Sequence, residues 1–198
     1  MANAIKNIKN LHIQMIRLEI TKRTDPRLLE RMKIHYSHPK GFVGRNICYA
    51  IYYNDNYFGH IIAGSSTRFL PGRNEFFNID ISKLNNIVNN IFYNISKVND
   101  KYPTRNFSSK VLNYFCDQVK LDWFNKYGDK VIGFETLVEK PRTGDLYLKS
   151  KFIKVGETFG YTCKREPGKG TDSYTGRRVW DKINLRPKIV LCKKVNDK

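Results

Sequence analysis

The stretch that most constrains this chain runs from Ser108 to Tyr127. There Val111, Leu112, Phe115, Val119, Trp123 and Tyr127 recur with helical period. Gly128 follows at once and offers the left-handed residue on which such a helix stops. On either side stand β-rich runs, Ile87 to Ile95 (IVNNIFYNI) and Val131 to Val138 (VIGFETLV). The second is apolar enough to lie buried on both faces of a sheet. Asn89 and Asn90 interrupt the first, which is unusual for a central strand. A long helix set between two such strands excludes all-helical and all-β folds.

The rest of the pattern agrees. Leu11 to Ile20 alternates as a strand. Asp25-Pro26 then opens a helix, Asp as cap and Pro at its first position, with Leu28, Leu29, Met32 and Ile34 as its apolar side to about Tyr36. Ile47 to Tyr53 and Tyr57 to Ser65 flank Asn54-Asp55-Asn56 and predict a hairpin. Ser66 to Ile81 reads as irregular, with Pro71-Gly72 as a turn. Gly144 to Ser150 suits one or two helical turns, Phe152 to Thr162 a strand, and Pro187 to Val195 a last strand. The order predicts a single α/β domain over residues 1–198 with a mixed sheet of about six or seven strands flanked by helices.

Charge narrows the partner. Lys plus Arg number 36 against 18 Asp plus Glu, a net +18 in 198 residues, and the basic residues spread from Lys6 to Lys198 instead of gathering in a tail. Such a surplus on a folded surface points to a polyanion, nucleic acid first and an anionic membrane surface second. No run approaches the ~20 apolar residues of a membrane span. Nor does an apolar run follow Met1 as in a secretory signal, so the expected location is a cytoplasm. Cys48, Cys116, Cys163 and Cys192 form no C-x-x-C pair, which argues against a zinc ribbon and for reduced thiols.

Three segments invite a chemical reading. At the junction before the long helix, Arg105, Asn106, Ser108, Ser109 and Lys110 combine a helix N-terminus with side-chain donors, an arrangement suited to phosphate. The bland alternative is a capped helix with a solvated first turn. Glu135 stands in an otherwise apolar run: either a buried base with a raised pKa, or a carboxylate at a sheet edge or paired with an arginine. Lys164 to Arg178 (KREPGKGTDSYTGRR) is basic and Gly-containing, and its GKGT lacks the spacing of a P-loop.

The segment Leu146-Tyr147-Leu148-Lys149-Ser150-Lys151-Phe152-Ile153-Lys154-Val155-Gly156 resembles the LY-x-K-x-GF-x-x-x-G element of the GNAT acyltransferases. The resemblance implies that Ile87 to Ile95, with Asn90, and Arg105 to Lys110 hold the pantetheine and pyrophosphate of acetyl-CoA or a related acyl-CoA. It also implies that Tyr147 protonates the leaving thiolate. Ser108 and Lys110 stand where that family's phosphate loop has glycines. Longer blocks resemble the phage Mom family: His35-Tyr36-Ser37 with Lys40-Gly41, IVNN at 87–90, YPTRNFSSKVL at 102–112, YGDKVIGFETLVE at 127–139 and VGETFGYTCKR at 155–165. Mom proteins are GNAT-like enzymes of bacteriophages that convert adenine in DNA to N6-(methylcarbamoyl)adenine against restriction.

This second resemblance implies a transferase acting on duplex DNA in the cytoplasm of an infected bacterial host. His35 and Tyr36 become catalytic candidates beside Glu135 and Tyr147, with possible iron and His35 as its ligand. Lys40, Arg45, Arg68, Lys164, Arg165, Lys169, Arg177 and Arg178 would meet the phosphates. Two alternatives stay open: an acyl-CoA-dependent N-acetyltransferase for another amine (a modified pyrimidine, RNA or protein), and a non-catalytic DNA-binding module. The sequence leaves the oligomeric state open.

Overall fold

A computed structural model describes residues 15–96, 102–166, 177–181, 183 and 185–195. Strand β1 (Ile16–Thr21), helix α1 (Pro26–Ile34) and the hairpin β2 (Asn46–Tyr53) and β3 (Asn56–Ser65) come first. Helix α2 (Arg73–Phe77) and a 3-10 turn (Ile81–Asn86) lead to β4 (Ile87–Ile95). Helix α3 (Phe107–Tyr127) precedes β5 (Gly133–Glu139). Then come α4 (Asp145–Lys149), β6 (Ile153–Glu157), β7 (Thr162–Glu166), β8 (Arg177–Asp181) and β9 (Lys188–Lys194).

Seven strands form one mixed sheet in the order β1-β2-β3-β4-β5-β9-β6, while β7 and β8 pair separately. Every neighbouring pair in the large sheet is antiparallel except β4 and β5. Parallel neighbours need a long crossover, and α3 is that crossover. Its Val111, Phe115, Val119 and Trp123 cover one face of the sheet, against Tyr49, Ile51, Ile61, Val88 and Phe134. On the other face α1 sets Leu28 and Met32 over Cys48, Ile62 and Phe92, and Phe77 of α2 covers Ile87, Val190 and Cys192. Covering on both faces explains why β2 is a nearly unbroken apolar run. Asp25 caps α1 by accepting the Arg27 N–H at 2.9 Å. Gly128 ends α3 in the left-handed conformation.

Two expectations change. Ser66 to Ile81 is not wholly irregular, since α2 and the start of the 3-10 turn lie there. These elements are too short to display a period. What fixes them is tertiary: the buried Arg73 and Phe77, and Asp80 accepting the Ser82 N–H at 2.7 Å. The strand expected over Phe152 to Thr162 stops at Glu157, and Gly160 turns the chain at φ +79° before β7 begins. The basic stretch Lys164 to Arg178 carries no element signal in the sequence, and its two ends belong to the β7–β8 ribbon. Lys169 lies outside the described residues, as do the side chains of Lys164, Arg165, Arg177, Arg178 and Trp180.

Candidate active site between two parting strands

Strands β4 and β5 pair only from Ile87 to Asn89 against Gly133 to Glu135. Beyond that they part. The cause is a bulge in β4. Ala63 faces Asn90 and Ile62 faces Phe92, so Ile91 is the extra residue. Ile91 and Phe92 consequently both pack toward α1. The polar break seen in the sequence now has a reason. The Asn90 side-chain amide donates to the carbonyls of Ile62 at 3.2 Å and Phe92 at 3.1 Å, satisfying groups the bulge unsettles. From the β5 side, the Thr136 hydroxyl donates to the Asn90 carbonyl at 3.0 Å.

A cavity of about 500 Å³ fills the opening. That is within the ~300–1,000 Å³ typical of small-molecule sites. Its wall takes His35, Tyr36 and Ser37 from the end of α1, Asn89 to Tyr93 from β4, Thr136 to Glu139 from β5, and Tyr147 from α4. Tyr147 donates its phenol proton to Asn90 Oδ1 at 2.6 Å. Burial pushes the Tyr147 hydroxyl above its usual range, opposed by the Thr136 hydroxyl, so it stays protonated. Burial pulls His35 below its usual value, and the positive charge of Arg142 adds to this. The Ser37 N–H donates to His35 Nδ1 at 3.3 Å and Ser37 Oγ lies 2.8 Å from the same nitrogen, which puts the proton of the neutral ring on Nε2. The guanidinium of Arg142 sits 3.6 Å above the ring of Tyr36.

Four residues singled out in the sequence therefore meet on one wall: His35, Tyr36, Asn90 and Tyr147. Glu135 does not join them. It points to the opposite face from Thr136, is fully buried and forms an ion pair with Arg73 at 2.6 Å. It also accepts from the Thr67 N–H at 2.7 Å and the Ser66 hydroxyl at 3.0 Å. Burial raises its pKa, and the Thr67 N–H, the Arg73 guanidinium and the Ser66 hydroxyl oppose that rise. Its place is that of a structural anchor with an arginine partner, not of a base in the cavity.

Arg105, Asn106, Ser108, Ser109 and Lys110 do not line the cavity. The Phe107 and Lys110 N–H groups already donate to the carbonyls of Thr104 and Asn106. The link to this turn is Tyr93, whose hydroxyl donates to the Ser108 carbonyl at 2.8 Å. Arg45 pairs with Asp129 and lies over Tyr127, whereas Lys40 and Arg68 are exposed. Among the described residues no three His, Cys, Asp or Glu gather as metal ligands, and Ser37 occupies His35 Nδ1, so this site does not fit iron. Sequence reasoning missed Ser37, Thr136 and Arg142 as cavity residues. Ser37 adjoined a flagged pair, but Thr136 and Arg142 left no local signal.

Solved structures decide the architecture. A Bacillus subtilis acetyltransferase in complex with CoA superposes with TM-score 0.54 at 13% identity, covering 92% of this chain and all of its own. An aminoglycoside acetyltransferase in complex with coenzyme A and kanamycin gives 0.55 at 11%, covering 91% and 95%. A spermidine N-acetyltransferase chimera from Vibrio cholerae gives 0.51 at 10%, covering 90% and 95%.

The chain has the GNAT acetyltransferase fold.

No protein-family model and no curated protein sequence matches it. At these identities the likeness speaks of the GNAT fold alone. The described residues contain no helix long and apolar enough to cross a membrane.

Proposed function

We propose that this chain is an acyl-CoA-dependent N-acyltransferase of the Mom type, acting on the exocyclic amine of adenine in duplex DNA. The reading carries with it work in the cytoplasm of an infected bacterial host and protection of the DNA from restriction. The observation that carries it is the cavity between β4 and β5, whose lining brings together a His-Ser pair and a protonated tyrosine.

The wall fits a pantetheine arm. Past Asn89 the edge of β4 has lost its strand partner, and Asn89 Oδ1 is buried there without a hydrogen bond, an acceptor for an amide N–H. Asn89 and the Ile91 to Tyr93 backbone would hold the arm. When bound, an acyl-CoA supplies an acyl group on a thioester. The chain's own residues then have distinct tasks. As the amine nitrogen bonds to the acyl carbon, Ser37 Oγ takes the amine proton and passes its own to His35 Nδ1. As the carbon–sulfur bond breaks, Tyr147 Oη gives its proton to the sulfur, and Asn90 holds the phenol in place. Tyr36, packed against Arg142 and His35, shapes the wall beside the acceptor. The target base reaches this wall only by leaving the stack.

The net +18 of the chain favours a polyanionic acceptor over a polyamine or an aminoglycoside. Arg142 and Lys188 line the cavity beside two carboxylates, of which Glu139 is held by Arg186 at 2.7 Å and Asp145 accepts from the Thr143 hydroxyl at 2.7 Å. The test is nucleoside mass spectrometry of DNA from cells making the protein. An adenine adduct that disappears with Tyr147→Phe is the expected result. Unmodified DNA beside an acylated protein or RNA would move the acceptor elsewhere.

A further inference from the structure

A second hollow, of about 450 Å³, opens beside the first and shares Leu137, Glu139 and Lys188 with it. Three aromatic rings line it, all exposed to solvent: Phe69 at 75%, Phe159 at 76% and Tyr161 at 45%. Phe159 and Tyr161 lie nearly parallel, centroids 5.6 Å apart at 15°. Burying such rings is the ordinary outcome of folding, so an exposed cluster next to a cavity marks a contact surface.

The backbone beneath the rings is fixed. Thr158 N–H donates to the Lys188 carbonyl at 2.9 Å, and Arg186 N–H to the Gly160 carbonyl at 2.9 Å. A Cβ at Gly160 would stand 2.2 Å from Pro187 N, so only glycine lets this loop lie flat on the neighbouring segment. On the Phe69 side, a Cβ at Gly156 would stand 2.6 Å from the Pro71 carbonyl oxygen, so that loop is welded to β6 as well. Cations outnumber carboxylates around the rings, with Glu75 lining the adjoining hollow on the Phe69 side. Arg68 lies 5.4 Å from the Phe69 ring, and Arg186 and Lys188 line the hollow. The one carboxylate there, Glu139, is paired with Arg186.

We infer that Phe69, Phe159 and Tyr161 form a base-stacking platform for the nucleotides flanking the extruded target, with Arg68 and Lys188 on their phosphates. This rests on the DNA acceptor proposed above and adds where the opened strand is held. Aromatic rings on rigid backbone with cations between them suit unstacked bases, since every base has a π-face. A protein partner of ordinary mixed charge gains little from one-sided charge.

The experiment uses the full chain and synthetic DNA carrying 2-aminopurine beside the adenine, single-stranded and duplex, with no acyl donor. Wild type should bind the single strand and quench the 2-aminopurine. Phe159→Ala and Tyr161→Ala should each weaken binding roughly 10-fold and remove the quench, with Phe159→Trp restoring both. Both rings are exposed, so the variants should melt with the wild type, and the tryptophan variant separates lost stacking from lost folding. Alanine variants that bind and quench like wild type would overturn the platform while leaving the acyl-transfer reading intact. A wild-type protein that binds neither DNA would overturn both.

Discussion

At the scale of single residues, burial decides the chemistry more than charge does. Tyr147 keeps its proton because its phenolate would be stranded in the cavity wall, and His35 stays neutral because its imidazolium would be. Tyr147→Phe removes the proton at Oη and its bond to Asn90 but little else. It should lower kcat by roughly 100-fold or more while leaving coenzyme A affinity within a factor of a few, as read by calorimetry. Equal losses in both would assign Tyr147 to binding. Since His35 must be neutral to accept a proton and its pKa is depressed, the acid limb of the activity profile should fall below the ordinary histidine value near 6.5. His35→Ala should abolish that limb.

His60 offers a separate test on stability. It is fully buried, 2.7 Å from the Tyr57 hydroxyl, and burial lowers it to about 4 despite Asp25 nearby. Between about 6.5 and 4 the unfolded chain therefore binds the proton and the folded one does not. Stability should fall as pH falls through that window, by up to about 3 kcal/mol from this group. Losses from protonating Asp25, whose pKa is lowered chiefly by Arg27, come below it. Denaturant melts from pH 7 to 4 on wild type and His60→Asn check this, and identical slopes would contradict it.

Among the secondary-structure elements, what was legible in the sequence is what local chemistry writes. Asp25-Pro26 announces α1, Gly128 the end of α3, and Asn54-Asp55-Asn56 the hairpin turn. The bulge at Ile91 was visible only as an anomaly, two asparagines in a strand, because its logic lies in carbonyls of Ile62 and Phe92. The site followed the same rule. His35 and Tyr147 carried motif signals, while the fate of Glu135 depended on Arg73, distant in sequence, inside a segment read as irregular. That pair now predicts a large effect. Arg73→Met would leave a fully buried carboxylate with one partner fewer and should cost about 3–5 kcal/mol in urea unfolding. The double variant with Glu135→Gln should cost less than the sum of the two single changes. A single-variant cost under about 1 kcal/mol would deny the anchor.

For the molecule as a whole, the +18 belongs to several jobs. Arg45 and Arg186 hold the fold together through Asp129 and Glu139, and Arg73 does so from the interior. Lys40 and Arg68 stand exposed, and in the proposed function they would meet the DNA phosphates. Duplex affinity should fall linearly in log–log form as salt rises, and Arg68→Ala should reduce the slope by about 1 in titrations from low to moderate salt. An affinity flat with salt would remove the phosphate footprint. The central claim joins that footprint to the opening between β4 and β5, and labelled donor tests both together. Purified protein, duplex DNA and acyl-CoA carrying isotope in the acyl group should yield label on adenine, lost with Tyr147→Phe. Label confined to polyamine or protein acceptors offered in the same tube, with none in DNA, would contradict the account.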